Sequence, residues 1–416
     1  MSTEDPTAAS NEAIERARQA ALAALAPSAA ELEHGLALHE QSLVCDTYGF
    51  APRAAPDGAA LKAASEAGAS EAELRDLSEE MSMTGCVVDD AAGEEFREAF
   101  RAAGVTCIFQ NAGVESQAPL EILKRLARFT YVGDRMPHFL LRATAPADIE
   151  RAHAEGKHCL YLSSNGVPLA QQWVSVEEEL GYVRLFFQLG VRMMHLTYNR
   201  RNMIGDGCAE PGNAGLSDFG RAVIAEMNRV GVIVDVAHAG WRTSLEAARA
   251  SDRPVVASHS ACAAVNEHIR AKPDEVIAAI AETGGYIGIC CVPRFLGGAG
   301  DIRALMAHID HVVKRFGADH VTIGTDVAYT SRRAAAEQQK LPRRPRTRAR
   351  WEGFWPPGAL GDSAWRQPQM VQSLAWTNWP LFTVGLVQLG YSDEAIQKIL
   401  GGNMLRVARA VLADRP

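Results

Sequence analysis

The sequence has no uninterrupted apolar run approaching 18 residues, so it offers no candidate transmembrane helix. No Cys-x-x-Cys pair occurs, and the spacing of the eight cysteines (45, 86, 107, 159, 208, 262, 290 and 291) resembles no zinc knuckle. They lie mostly inside apolar runs and read as reduced core thiols. No Gly-x-Gly-x-x-Gly follows an apolar run, which removes the dinucleotide-binding variant of the open doubly wound folds. No internal repeat is visible. Basic residues are outnumbered, 42 Lys+Arg against 50 Asp+Glu, and the net charge of −8 argues against broad nucleic-acid binding. The opening Met-Ser-Thr-Glu-Asp-Pro lacks the basic and apolar regions of a secretory signal, so the expected location is cytoplasmic, with no membrane partner.

What is present is an ordinary globular composition, 47% apolar and 22% charged over 416 residues. Residues 1–10 are expected to be disordered and 11–40 to form a helical leader broken at Pro27. Eight short apolar runs then read as buried strands: 42–48, 104–110, 158–164, 191–197, 232–237, 254–259, 285–292 and 320–326. Helices lie between them. Ser175-x-x-Glu178 reads as a capping box before a helix stopped at Gly190, and Ser217 opens another that closes at Gly231. Pro273-Asp-Glu-Val and residues 302–316 supply two more. Continuous apolar strands alternating with amphipathic helices imply a parallel sheet covered by helices. Eight such units predict a (β/α)8 TIM-like barrel over 41–416, with an insertion at 51–103, a basic loop at 331–358 and C-terminal helices from 361, the last opened by Ser392.

In such a barrel, functional side chains sit where strands end. The fifth run ends at His238, the sixth at His259 and the eighth at Asp326, which brings two imidazoles and a carboxylate to one mouth. Neutral imidazole and carboxylate are usual zinc ligands, and three of them plus an open position make a catalytic arrangement. The first run ends in Asp46-Thr47-Tyr48, the third in Ser163-Ser164-Asn165, and the fourth in Thr197-Tyr198-Asn199. Each polar end could line the site or simply satisfy a loop backbone.

These residues resemble the renal (membrane) dipeptidase family of metal-dependent barrel hydrolases. The resemblance runs from about residue 40 to the end: Asp46 with Pro52, Leu196-Thr197-Tyr198-Asn199, Asp235-Val-Ala-His238, Ser258-His259-Ser260, Arg270, Gly324-Thr-Asp326, and Gly401-Gly-Asn-Met-Leu-Arg-Val. It implies a dimeric barrel with a binuclear zinc site that hydrolyses dipeptides. By the same resemblance, His238 and His259 hold one metal, Arg270 takes the substrate carboxylate and Asp326 meets the substrate amino group. The chain departs from the pattern elsewhere. The family's His-x-Asp falls on Tyr48 and Phe50, and its bridging glutamate on Ser164 or Asn165. Its oxyanion-stabilising histidine falls on Tyr198, and a second aspartate on Ala328. One zinc ion is therefore expected rather than two, with Asp326 as general base or amine anchor, Tyr198 as oxyanion donor, and Tyr48, Asn165 and Asn199 lining the substrate pocket beside Arg270. The substrate expected is a dipeptide-like or other small amide. The alternative is a diverged or metal-free relative that binds a small molecule in the same pocket.

Residues 332–350 carry a net charge of +7 and are followed by Trp351, Phe354 and Trp355. Basic residues beside aromatics can grip a nucleic-acid backbone, but no nucleic-acid partner is expected from a chain that is acidic elsewhere. A loop after the eighth strand is placed over the mouth, where Arg343, Arg344 and Arg346 could close on an anionic substrate.

Overall fold

The computed structural model describes residues 11–114, 118–341 and 350–412. Each of the eight apolar runs holds a strand and three strands lie outside them, giving β1 (Cys45–Arg53), β2 (Cys107–Val114), β3 (Leu140–Arg142), β4 (His158–Asn165), β5 (Val191–His195), β6 (Ile233–Asp235), β7 (Val255–Cys262), β8 (Ala271–Lys272), β9 (Tyr286–Ile289), β10 (Val321–Ile323) and β11 (Ala328–Thr330). Their order across the sheet is β10-β9-β7-β6-β5-β4-β2-β1-β11, with β3 added to β4 and β8 to β7, and every pairing is parallel. The protein is thus an α/β fold on a parallel sheet. The two ends of the strand path, β10 and β11, are successive pieces of one stretch of chain.

Side-chain alternation sorts the strands into two faces. Met194, Val234 and Ala257 pack outward with the helices, whereas Met193, Ile233 and Val256 pack inward with Tyr48, Tyr161 and Tyr286. On the inner side Thr47 Oγ1 donates to Ser258 O at 2.9 Å and lies 3.1 Å from Ile323 O, tying β1 to β7 and β10. Backbones crowd here, since a Cβ at Gly324 would lie 2.0 Å from Ser258 O.

The helices start and stop as their caps dictate. Ser217 Oγ accepts from Gly220 N at 2.9 Å to open Asp218–Val230, and Gly231 closes it at a φ of 98°. Ser175 opens Val176–Gln188 by accepting from Glu178 N at 3.0 Å. The neighbouring Glu179, rather than Glu178, takes the backbone N–H groups of Gln171, Gln172 and Trp173. The chain before Pro27 forms Glu12–Leu25, and Ser28 with Glu31 builds a capping box that restarts a helix at Ala29–Gln41. Both pack on the C-terminal helix Trp379–Gln388: His39 Nδ1 lies 2.8 Å from Thr383 Oγ1, and Gln388 Nε2 donates to Leu25 O at 3.2 Å.

Several boundaries differ from the sequence expectations. β1 starts at Cys45 and runs on to Arg53, beyond the expected end at 48, because its second half pairs with β11, Phe50 opposite Ala328 and Arg53 opposite Thr330. The rest of the expected insertion is helical, in Gly58–Glu66, Glu71–Val88 and Asp90–Ala103. The eighth run yields only β10; Asp326 follows at a φ of 55° with its N–H donating to Tyr48 O at 3.0 Å, and β11 lies beyond the expected end at 326. β3 and β8 span 3 and 2 residues, too short to leave a hydrophobic period. Residues 1–10 and the arginines 343, 344, 346 and 348 lie outside the described residues.

Candidate functional site

His259 lies within β7 and His238 in the turn just after β6, so neighbouring strands deliver the two imidazoles to one point. Their Nε2 atoms stand 3.1 Å apart, and both residues are buried. Burial, and then the charge of Arg270, push both imidazoles well below their ordinary pKa, so each is neutral at physiological pH. Their outer nitrogens are held. His238 Nδ1 is 2.9 Å from Asn199 Oδ1, and His259 Nδ1 is 2.9 Å from Ser258 Oγ. An amide oxygen can only accept, so His238 carries its proton on Nδ1 and turns the Nε2 lone pair toward His259.

Tyr48 covers this pair from β1. Its ring stacks on His259 with centroids 3.8 Å apart and planes 16° apart, and its hydroxyl donates to Asn165 Oδ1 at 2.7 Å. Burial, and then Asp326, raise its pKa well above the ordinary phenol value, so it remains a donor. On the opposite side Tyr198 stacks on His238 at 4.2 Å, and the Trp355 ring lies 6.4 Å from that imidazole. The stretch after the basic loop therefore does reach the mouth. Arg200 anchors it, donating from Nε to Phe354 O at 3.1 Å with its guanidinium 5.1 Å from the Trp351 ring centre.

Arg270 is fully buried behind His259. One terminal nitrogen donates to Ala237 O, the other to His259 O at 2.9 Å, and Nε has no protein partner. Asp326 is half-buried, and burial raises its carboxyl to about 6, with Arg270 and His195 pulling the other way. Tyr48, Asn165, Tyr198, Asn199, His238 and His259 thus come together through direct contacts, while Arg270 lies behind them and Asp326 joins through the Tyr48 backbone.

Sequence reading missed some neighbours. His195 and Asp235, both fully buried, lie with Nε2 2.7 Å from Oδ2. The signal was available, since alternation from inward Met193 and Ile233 turns both residues inward. Lys272 was missed too. Its Nζ donates to Ala239 O at 2.6 Å and lies 3.0 Å from Ser244 Oγ, and burial, then Arg270, lowers its pKa to about 7. Outside the imidazole cluster a cavity of about 380 Å3 is lined by Cys208, Glu210, Asn213, Trp241, Ile269 and Pro356. It adjoins the mouth, because Cys208 N donates to His238 O at 2.7 Å.

The arrangement offers two neutral imidazole nitrogens at one point, with phenol rings stacked on both. That donor set suits a zinc-like ion. Two ligands bonded at about 2.0–2.1 Å with a tetrahedral angle stand about 3.3 Å apart. The 3.1 Å between the two Nε2 atoms, which share a hydrogen bond, is close to that separation, so the spacing of the pair suits one ion. Tyr48 and Asn165, which stand where the resemblance expects ligands of a second ion, are hydrogen-bonded to each other instead.

Comparison with known proteins agrees with this reading of the fold. Residues 73–337 match the membrane dipeptidase family (peptidase family M19). Dipeptidase verJ of Clonostachys rogersoniana is 30% identical over 234 residues, 56% of this chain and 51% of that protein. Dipeptidase tcpJ of Claviceps purpurea (strain 20.1) is 28% identical over 270 residues, 64% of this chain and 53% of that protein. The chain spans about half the length of these curated relatives. Among solved structures, an amidohydrolase from Pseudomonas aeruginosa superposes with a TM-score of 0.67 at 25% identity, covering 91% of this chain and 99% of that one. The probable dipeptidase PvdM from Pseudomonas aeruginosa gives 0.64 at 19% identity, covering 92% and 98%. A metallo peptidase from Rhodobacter sphaeroides, liganded with a phosphinate mimic of the dipeptide L-Ala-D-Ala, gives 0.62 at 16% identity, covering 89% and 99%. The family match covers more than half of the chain, and the chain belongs to the membrane dipeptidase family.

Proposed function

We propose that this chain is a metal-dependent hydrolase of a dipeptide or similar small amide, working with one zinc-like ion at His238 and His259 inside a closed eight-unit barrel. The observation that carries the reading is the convergence of two neutral imidazoles, Nε2 to Nε2 at 3.1 Å, with their other nitrogens already engaged. Barrel closure is supported by the strand path, whose two ends are consecutive pieces of residues 321–330.

When bound, such an ion supplies Lewis acidity and a water that ionises near neutral pH. The chain's own residues do the rest. Asp326, near the mouth and held at about 6, accepts a proton from the attacking water or holds the substrate amine. Tyr198, stacked against His238, donates to the developing oxyanion. Arg270 has one unspent nitrogen, Nε, for the substrate carboxylate, while its other two lock the backbone beneath both histidines. Asn199 orients His238. Tyr48 and Asn165 replace a second ion with a neutral hydrogen-bonded pair, and Trp355 limits water at the mouth.

The Tyr48–Asn165 pair also favours the second reading, a small-molecule binder without hydrolysis, since it removes a bridging carboxylate. Elemental analysis and a hydrolysis screen of dipeptides, N-acyl amino acids and lactams separate the two. Hydrolysis that tracks metal content and vanishes in His238→Ala/His259→Ala supports the hydrolase. Metal-free protein with no turnover leaves the binder.

A further inference from the structure

Beneath the His238–His259 pair lies a second set of donors. Among the described residues, His195, Asp235 and His259 form the one group of three or more His, Cys, Asp or Glu side chains whose ligand atoms all lie within 4.8 Å of one another. All three are fully buried. β5, β6 and β7 are adjacent strands, so the sheet itself sets the cluster.

The hydrogen-bond accounting of this cluster is incomplete. His195 has no aligned partner at Nδ1 or at Nε2, and Asp235 Oδ2 has none either, although Nε2 and Oδ2 are 2.7 Å apart. Buried polar atoms are normally paired, because leaving them unpaired forfeits their hydration with no return. A close nitrogen–oxygen contact that lacks hydrogen-bond alignment is what two ligands of one ion display, each lone pair directed at a shared point. Ligands bonded at about 2.0–2.1 Å and at right angles to each other stand about 2.9 Å apart, near the separation seen. The other oxygen of Asp235 is already held, accepting from Ala237 N at 2.9 Å and Ser258 N at 3.1 Å, so its carboxylate is fixed with Oδ2 left over. That is the outer-shell support a ligating carboxylate needs.

We infer that His195 and Asp235 are metal ligands of this chain, joining His238 and His259 around the one buried zinc-like cation. The inference rests on the single-ion reading above and names the chain's own substitutes for the carboxylates missing at Phe50 and Asn165. Three imidazoles and one carboxylate are nitrogen and oxygen donors of the kind that zinc-like ions take. His259 belongs to both donor sets, and His238 stands beside it at 3.1 Å.

The test is cobalt loading of purified His195→Cys. A thiolate at that position produces a thiolate-to-cobalt absorption band in the near ultraviolet only if position 195 is a ligand, and the unsubstituted protein serves as the control for its own eight cysteines. The expected result is a new band, absent from the control. His195→Gln and Asp235→Asn, with folding checked by near-ultraviolet circular dichroism, provide a second readout. Chelator competition should show zinc affinity falling by more than about a hundredfold, beyond what loss of an outer-shell partner produces. Cobalt bound by His195→Cys without the band, or folded His195→Gln keeping wild-type affinity while His238→Ala loses it, overturns the inference and leaves the single-ion reading standing. Failure of the unsubstituted protein to bind either metal overturns both.

Discussion

Replacing Tyr48 by Phe removes one oxygen from the centre of the site. That hydroxyl donates to Asn165 Oδ1 at 2.7 Å, and both side chains are buried. The substitution leaves the ring stacked on His259 and strands the Asn165 oxygen, a loss of about 1–3 kcal/mol. Thermal melting reads this poorly. With an unfolding entropy of about 2.1 cal/mol/K per residue, a chain of 416 residues loses only about 2–3 °C for 2 kcal/mol. Denaturant titration of Tyr48→Phe, Asn165→Ala and the double variant is the better assay, because the cycle isolates the pair. A coupling of about 1 kcal/mol or more is expected, and the zinc content of Tyr48→Phe should match wild type because neither proposed imidazole ligand is touched. A coupling below about 0.5 kcal/mol would refute the claim that these residues seal the second metal position by bonding to each other.

Three further outcomes are expected. His39 and His308 are buried, and desolvation lowers each to about 4. Between about pH 4 and 6.5 the unfolded chain binds protons that these folded imidazoles refuse, so stability rises with pH across that window, by up to about 3 kcal/mol per residue. Denaturant midpoints from pH 4 to 7 should show this, and His39→Gln should flatten the slope. Trp355→Ala uncovers the mouth beside His238, so the substrate KM should rise severalfold while zinc content stays constant; an unchanged KM would remove Trp355 from the lid. The triple variant Tyr48→His, Phe50→Asp and Asn165→Glu should raise metal content toward two ions per chain, and a folded triple variant with unchanged content would show that the pocket has diverged beyond these residues.

Much of the fold could be read in advance because the long buried strands are continuous apolar runs and several helices carry their own caps. The run around Val234 and the cap at Ser217 are local signals, and the structure keeps both. What escaped was non-local. β8 is fixed by pairing of Ala261 with Ala271 and of Cys262 with Lys272, and a strand of 2 residues leaves no hydrophobic period to read. The turn at Asp326 between β10 and β11 is held by a bond to Tyr48 O, 278 residues away along the chain. At the site, His238 and His259 stood out because they end apolar runs. His195 was hidden because it follows Met193 and Met194 within one, and only the inward alternation of β5 turns it toward Asp235. Arg270 was legible as a residue but not as a placement, since its two terminal nitrogens serve backbone carbonyls that sequence cannot display.

The central claim is tested most directly by counting metal in the purified protein beside the His238→Ala/His259→Ala variant. About one zinc per chain, lost from a folded double variant together with amide hydrolysis, is the expected result. Two ions per chain, or one ion retained by the double variant, would contradict a single centre at these histidines, and metal-free protein that still hydrolyses dipeptides would contradict the mechanism itself.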